Sequence, residues 1–188
     1  MKFMKYTNKI LAGILIFTGT AIFLFGIIIS EVLYPGYHVT SVISDLGVGS
    51  TAWLFNSSMV ISGIFLIFSA YLLLNIGTNK YFTVLLGLAG LGATLVGLIP
   101  ETHGVPHVIA AILLFTSGGL LAVTGYYVFR GPFSIISPVL GIISLTAMIF
   151  LALNLYFGLG MGGIERMVAY PLIIWGLGAG AYLMSPGK

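Results

Sequence analysis

Four polar residues, Ser44, Asp45, His107 and Glu165, form the most reactive set of side chains in this sequence. An imidazole oriented by a carboxylate can take a proton from a hydroxyl group or from water, so this set could carry out acyl transfer or hydrolysis. The same carboxylates and imidazole could instead hold a metal ion and its bound water. The two chemistries need different distances between the side chains, and the sequence alone leaves both open.

The segment 101–107, ETHGVPH, contains the clearest metal-binding pattern. His103 and His107 have the i, i+4 spacing that puts two imidazoles on one face of a helix. Pro106 favours a helix that begins close to it, which would leave His103 in the preceding loop. The sequence requires no cofactor, and zinc is the ion of the metal alternative, whose ligands would be His103, His107, Asp45 and Glu165.

Other polar side chains near the ends of apolar segments could bind a ligand or support the reactive set. Glu165 and Arg166 lie at the start of a predicted helix. The helix dipole stabilises an acid at this position, and the arginine could pair with a lipid phosphate. Ser44 and Asp45 precede another helix and could be no more than caps of its free N–H groups. The candidate binding residues are Asn56, Glu101, His103, Glu31, Arg166 and Asn154.

The chain that must position these groups is strongly apolar. Its 188 residues are 59% hydrophobic and 6% charged, and it contains no cysteine. Its mean hydropathy is +1.16, so too little polar surface exists to cover a soluble globule. The absence of cysteine excludes disulfides and thiolate chemistry, and no basic patch suggests nucleic acid as a partner. We expect an integral membrane protein.

Six apolar segments are long enough to cross a bilayer, which takes about 20 residues in a helix. They are continuous rather than alternating, which favours helices over barrel strands. We therefore predict one all-α transmembrane domain, residues 1–188, in which the connection 31–51 is an external loop with structure of its own. The predicted spans are about 10–30, 52–76, 82–99, 106–129, 135–157 and 164–184.

The basic residues predict the orientation of these spans. If the six spans alternate, all lysines and arginines except Arg166 lie on one side, namely Lys2, Lys5, Lys9, Lys80, Arg130 and Lys188. The positive-inside rule then places both termini in the cytoplasm of a multi-pass cell-membrane protein. All four acids and all three histidines fall on the opposite side, although the rule exerts little force on acids. We interpret this grouping as a polar site that faces outside.

Glycines are frequent in the third, fourth and sixth spans, for example in GLAGLGATLVG at 87–97. Small residues let transmembrane helices approach closely. These glycines therefore indicate close packing, either inside a monomeric bundle or at the interface of a homo-oligomer.

The segment 42–59, VISDLGVGSTAWLFNSSM, resembles the Ile-Ser-Asp-x-Gly element of the damage-regulated autophagy modulators and of the eukaryotic proteins that remodel GPI-anchor lipids. The six-span pattern is also similar to a prokaryotic, notably archaeal, family of multi-pass proteins known as domain of unknown function 998. In the two eukaryotic groups a histidine opens the fourth span and an acid begins the sixth, so the resemblance implies roles for His107 and Glu165. Ser50 and Thr51 stand where the autophagy modulators tend to have Pro-Glu.

These observations lead to three functional hypotheses. The first is recognition or remodelling of a membrane lipid by an external polar pocket, which the resemblance to lipid-remodelling proteins favours. The second is a metal-dependent intramembrane hydrolase. The third is a noncatalytic membrane scaffold or sensor, in which the polar groups only join the helix ends. Membrane lipids are the expected partners, and whether the protein is an enzyme stays open.

Overall fold

The computed structural model describes residues 2–185, and six helices form one bundle in this part of the chain. Each helix contains a stretch long and apolar enough to cross a membrane, so the predicted all-α, six-span fold is confirmed. Lys188, which supported the predicted orientation, lies outside the described residues. The helices are α1 (Lys2–Leu33), α2 (Ala52–Asn75), α3 (Lys80–Leu98), α4 (Val105–Thr124), α5 (Phe133–Ala152) and α6 (Gly160–Met184).

Consecutive helices pack against one another, and α6 packs against α1, so the bundle is a closed ring. α5 packs mainly on α4 and α6, which also touch each other. It buries only a row of small residues, Ser137, Gly141, Ser144 and Ala147. α5 is therefore the most peripheral helix of the ring.

The two ends of the bundle differ in charge. The connection between α1 and α2 lies at one end, which we call the loop end, together with the α3–α4 and α5–α6 connections. All the acids, all the histidines and Arg166 are at the loop end. The other end, which we call the terminal end, carries Lys9, Lys80 and Arg130. The alternation of the helices therefore produces the separation of charge that the sequence predicts.

Aromatic side chains fill the half of the bundle near the terminal end. Phe82 is fully buried, and its ring lies 5.7 Å from that of Phe129 and 6.1 Å from that of Trp175. The indole N–H of Trp175 donates to the Ser137 hydroxyl at 2.8 Å, and that hydroxyl donates to the Ala122 carbonyl at 2.6 Å. Every polar atom of this chain of hydrogen bonds therefore has a partner inside the apolar packing.

The ends of α2 and α5 use the same backbone motif with different residues. After α2, Gly77 adopts a left-handed conformation (φ 77°), and the N–H of Thr78 donates to the Leu73 carbonyl at 3.1 Å. After α5, Asn154 takes the left-handed position (φ 57°), and the N–H of Leu155 donates to the Phe150 carbonyl at 2.9 Å. Both are Schellman caps, in which glycine or asparagine ends a helix.

The predicted span 135–157 is therefore too long, because α5 ends at Ala152. The residues that follow are apolar enough to continue the hydropathy signal, but the conformation of Asn154 stops the helix. α6 correspondingly begins at Gly160 rather than at 164.

The glycines of the third, fourth and sixth spans pack inside this chain. A Cβ atom added at Gly90 would lie 2.7 Å from the Gly63 carbonyl oxygen of α2, and one added at Gly180 would lie 2.8 Å from the Gly13 carbonyl oxygen of α1. Packing within the bundle therefore accounts for these glycines. A homo-oligomer stays a prediction.

Candidate functional site

The loop between α1 and α2, residues 34–51, folds over the loop end of the bundle and has structure of its own. It makes a turn at Gly36 (φ 79°) and a short 3-10 helix at Ile43–Gly47, whose residues Ile43 and Leu46 are buried. Two adjacent residues of α6, Glu165 and Arg166, hold it in place through the contacts described next.

Arg166 is the centre of a polar group that we call the Arg166 clamp, formed by Glu31, Tyr37 and Arg166. One guanidinium nitrogen, Nη2, donates to Glu31 Oε1 at 2.5 Å and to the Tyr37 hydroxyl at 2.8 Å. The other, Nη1, donates to the carbonyls of Ser41 at 2.9 Å and Gly162 at 3.0 Å. Arg166 is only 7% exposed, so this clamp joins α1, the loop and α6 away from solvent.

Pairing of Arg166 with a lipid phosphate is not supported, because its charge is buried and already balanced by Glu31. A buried charge needs such a partner, since an unpaired one is strongly destabilising. Glu31 and Arg166, both expected to bind a ligand, therefore hold the loop instead.

The hydroxyl of Tyr37 links the clamp to the loop backbone. It accepts from Arg166 and donates to the Val42 carbonyl at 3.0 Å. Burial raises the pKa of Tyr37 to about 12, and the nearby carboxylates of Glu31 and Glu165 also raise it, against the effect of Arg166. Tyr37 is therefore protonated at neutral pH and can keep donating its hydrogen bond.

Glu165 holds the next part of the loop from the same turn of α6. Its Oε2 atom accepts a hydrogen bond from the backbone N–H of Ile43. One turn earlier, the N–H of Gly162 donates to the Thr40 carbonyl at 3.1 Å, which satisfies a free donor at the start of α6. A Cβ atom added at Gly162 would lie 2.6 Å from that carbonyl oxygen, so only glycine permits this approach.

His107 lies in the first turn of α4, as Pro106 predicts, and it is buried (7% exposed). Gly104, with φ 63°, turns the chain into this helix. The Nδ1 atom of His107 lies 2.6 Å from the carbonyl oxygen of Ile99, which ends α3. Because a carbonyl can only accept, we assign the proton of the neutral ring to Nδ1. Nε2 is then the basic nitrogen, and it has no partner among the described residues.

His107 and Glu165 both line a small cavity of about 30 Å³, which we call the loop-end cavity. Ser44 also lines it, and the remaining wall is apolar. The volume suffices for about two water molecules at roughly 10–15 Å³ each. The apolar lining residues are Phe23, Ile43, Phe55, Met59, Val96, Ala111, Phe115 and Ala169.

A second cavity of about 80 Å³, which we call the central cavity, lies deeper in the bundle. Its wall contains two hydroxyl-bearing residues, Thr20 and Ser62. The two cavities share part of their walls, since four residues line both of them: Phe23, Met59, Phe115 and Ala169. No residue of α5 lines either cavity. The lining comes from α1, α2, α3, α4 and α6 and, in the loop-end cavity, also from Ile43 and Ser44 of the loop.

Asp45 does not line these cavities, although the sequence groups it with His107 and Glu165. It lies in the 3-10 helix of the loop beside Glu101, which belongs to the 3-10 turn Glu101–His103. Burial raises the pKa of Asp45, and the negative charge of Glu101 raises it further, against the backbone of Val42. One oxygen of Glu101, Oε2, is buried without a hydrogen-bond partner in the described part of the chain.

The capping interpretation of Ser44 and Asp45 is wrong. The residue that precedes α2 is Thr51, and no side chain caps the N–H groups there. The hydroxyl of Thr51 instead donates to the Leu46 carbonyl at 3.3 Å. Ser44 faces the loop-end cavity, so its position is consistent with the reactive set.

Three candidate binding residues make local contacts only. The side-chain amide of Asn56 donates to the Gly47 carbonyl at 2.9 Å, which holds the end of the 3-10 helix onto α2. His103 is exposed, with Nδ1 3.1 Å from the Pro100 carbonyl oxygen, and Asn154 is exposed and accepts from the Tyr156 hydroxyl at 2.7 Å. None of the three lines either cavity.

The metal alternative is not supported by the side-chain positions. Within residues 2–185, no three or more histidine, cysteine, aspartate or glutamate side chains come together in a way that could hold a metal ion. His103 is on the surface while His107 is buried, so their i, i+4 spacing does not bring the imidazoles to one site.

Two contributors to the site carry no chemical signal in the sequence. In the sequence, Tyr37 cannot be distinguished from an ordinary interfacial aromatic residue. Its role is visible only in the structure, where its hydroxyl accepts a hydrogen bond from Arg166. The backbone N–H of Ile43, which Glu165 binds, cannot be recognised from residue types at all.

A family model described as "Protein of unknown function (DUF998)" matches residues 17–182 of this chain. Neither the curated proteins nor the solved structures contain a significant match to this chain. The more distant resemblance to the autophagy modulators and the GPI-anchor remodelling proteins stays a prediction. Because the family model covers most of the sequence, this six-helix membrane protein belongs to the DUF998 family.

Proposed function

We propose that the loop end of this bundle binds the polar part of a membrane lipid and remodels the lipid by cleaving an ester bond. The observation that carries the proposal is the loop-end cavity, where a basic imidazole nitrogen and a carboxylate face one small space among apolar side chains. A few converging polar groups in an otherwise apolar pocket are typical of small-molecule sites.

His107 supplies the base in this proposal. Its Nδ1–H is fixed by the Ile99 carbonyl, so Nε2 can take a proton from a water molecule in the cavity. The water oxygen then attacks the ester carbonyl carbon, and His107 returns the proton to the departing alcohol oxygen, which releases a fatty acid and an alcohol. Ser44 lines the same cavity and can donate a hydrogen bond to the ester.

Glu165 contributes charge and position. It binds the loop backbone at Ile43 and lines the same cavity as His107, so it can stabilise the imidazolium that forms when His107 takes a proton. The Arg166 clamp keeps the loop, and with it Ser44, in place. The resemblance of segment 42–59 to lipid-remodelling proteins supports the same class of substrate.

The test is release of fatty acid from phospholipid vesicles by the purified protein. His107→Gln should reduce release at least tenfold, because loss of general base catalysis typically costs a factor of roughly 10² or more. His103→Gln is the matched control, since it makes the same change four residues earlier at an exposed position, and it should leave the rate unchanged.

Two results would contradict the proposal. One is a wild-type protein that neither releases fatty acid nor retains lipid. The other is a His107→Gln variant that is folded and as active as wild type. The first result would favour the noncatalytic scaffold, in which these polar groups only join helix ends, and the second would remove His107 from the reaction.

A further inference from the structure

The proposed chemistry gives the central cavity no role. It lies at mid-height of the bundle, since its wall includes Thr20 of α1, Ser62 and Leu66 of α2, and Leu172 of α6. We infer that this cavity holds part of a single hydrocarbon chain of the lipid whose ester lies in the loop-end cavity; the inference rests on the proposed function and specifies its substrate class.

The central cavity holds water poorly. A buried water needs about two to four polar partners. The cavity offers only two hydroxyl groups, and that of Thr20 is already donated to the Ile16 carbonyl at 2.7 Å. Ser62 is 5% exposed and makes no side-chain hydrogen bond to any described residue. Nine of the eleven lining residues are apolar, so the cavity favours an apolar occupant.

The central cavity adjoins the polar site. Four residues line both cavities, namely Phe23, Met59, Phe115 and Ala169. A molecule that occupied both spaces would have its polar group beside His107 and its tail beside Ser62. An amphiphile has this arrangement of chemistry. The lipids that make up a bilayer are amphiphiles.

The lining of the two cavities extends far along the bundle. On α2, the lining runs from Phe55 in the loop-end cavity to Leu66 in the central cavity, a distance of about 16 Å at about 1.5 Å per residue. This is about half of the roughly 30 Å hydrocarbon core of a bilayer. A chain held here would lie in the bundle at the depth that it occupies in one leaflet.

The small size of the central cavity limits the number of chains. Residues of five helices line it, and aromatic packing around Phe82 and Trp175 closes the bundle below it. A space of about 80 Å³ takes no more than part of one chain, so the second chain of a two-chain lipid has to stay outside in the bilayer. The substrate class is therefore a lipid that inserts one acyl chain into the protein.

Photoreactive fatty acids test this directly in the wild-type protein. The probes are two palmitic acids, one with a diazirine close to the carboxyl group and one with a diazirine close to the chain end. The chain-end probe should label Ser62, Leu66 or Leu172, and the carboxyl-proximal probe should label the loop or the start of α4. Labelling by both probes only on bilayer-facing residues such as Ile61 and Ile174 would overturn the inference.

A cavity-filling variant gives the second measurement. Ser62→Leu should reduce labelling by the chain-end probe several-fold, whereas Ser57→Leu, the same change at an exposed position of the same helix, should not. Overpacking can destabilise a bundle, so Ala93→Val, a smaller change in the same wall, is the companion variant and should give a smaller reduction. Unchanged labelling in folded Ser62→Leu and Ala93→Val proteins would also overturn the inference.

The outcome separates this inference from the proposed function. Ester cleavage that depends on His107, together with chain-end labelling only on the bilayer-facing surface, would refute the chain site and leave the reaction standing. Chain-end labelling at Ser62 without any ester cleavage would refute the reaction and leave a lipid-binding protein.

Discussion

The two halves of the bundle are built in different ways. Near the terminal end, aromatic side chains fill the interior: Phe129 alone packs its ring against those of Phe82, Phe133 and Tyr182, with the Phe133 centroid 4.8 Å away. Near the loop end, the interior contains cavities, a buried ion pair and an imidazole. The contrast indicates that the terminal half supplies rigidity and that the loop half retains space and charge for a ligand.

The largest expected effect comes from breaking the Arg166 clamp. Arg166→Met should cost about 3–4 kcal/mol of unfolding free energy, because it leaves Glu31 partly buried and unpaired and frees the Ser41 carbonyl. Hydrogen exchange should show loss of protection in residues 34–51 while α3 at the terminal end stays protected. Arg130→Met, at an exposed position of the terminal end, is the control and should change little. Uniform loss of protection along the chain would contradict the separation of the two halves.

The next effect tests the terminal half. Phe82→Ala should lower the free energy of unfolding by about 3 kcal/mol. This value is near the lower end for truncation of a buried phenylalanine, because helices that separate in a membrane still have apolar lipid around them. Lipid release should persist in the protein that remains folded, since Phe82 lines neither cavity. Unfolding in mixed micelles measures the cost, with the exposed Phe68→Ala as control. A loss below about 1 kcal/mol would show that the aromatic packing is less important than its geometry suggests.

The change from serine to alanine should have opposite effects on stability in the two halves. Ser137→Ala removes the acceptor of the Trp175 indole N–H and should destabilise the protein by about 1–2 kcal/mol. Ser30→Ala, near the loop end, removes a hydroxyl that is fully buried without a partner in the described chain, and it should stabilise the protein by up to about 1 kcal/mol. Thermal unfolding of the two variants gives the comparison. Equal destabilisation would mean that Ser30 contributes through packing.

The smallest effect is the pH dependence that Asp45 contributes. Burial, and then the charge of Glu101, raise the pKa of Asp45 from an unfolded value of 3.8, so the folded protein binds this proton more tightly. Its contribution to stability is present below pH 3.8 and is lost as the pH rises through the raised pKa. Asp45→Asn should flatten the stability profile in that range and leave lipid release intact. Stability that instead increases with pH in this range, and flattens in the variant, would reverse the assignment.

The fold was largely accessible from the sequence because each span carries its own hydropathy signal. The exact ends were less accessible when the stop signal was weak. The glycine at position 77 is a recognisable signal for the end of α2. Asn154 ends α5 inside an apolar segment, so the hydropathy of the sequence does not change there. Pro106 was informative because its effect is local, and it correctly placed His107 at the start of α4.

The candidate site was only partly accessible, because its contacts join distant parts of the chain. The sequence grouped His107, Glu165 and Ser44 at one end, and these three line one cavity. It could not tell that Asp45 lies beside Glu101 instead, since adjacent residues of a 3-10 helix point in different directions. Nor could it pair Glu31 with Arg166, because long-range partners leave no trace in residue spacing.

The Arg166 clamp also has a consequence for how the protein is made. Glu31 ends the first helix and its partner lies 135 residues later, near the start of the last helix. During synthesis the first helix enters the membrane well before Arg166 exists. The carboxylate therefore has to remain at the water interface until α6 arrives, and only a fully synthesised chain can fasten the loop over the cavities. A product that stops before α6 leaves Glu31 without its partner and the loop without its attachment to the last helix.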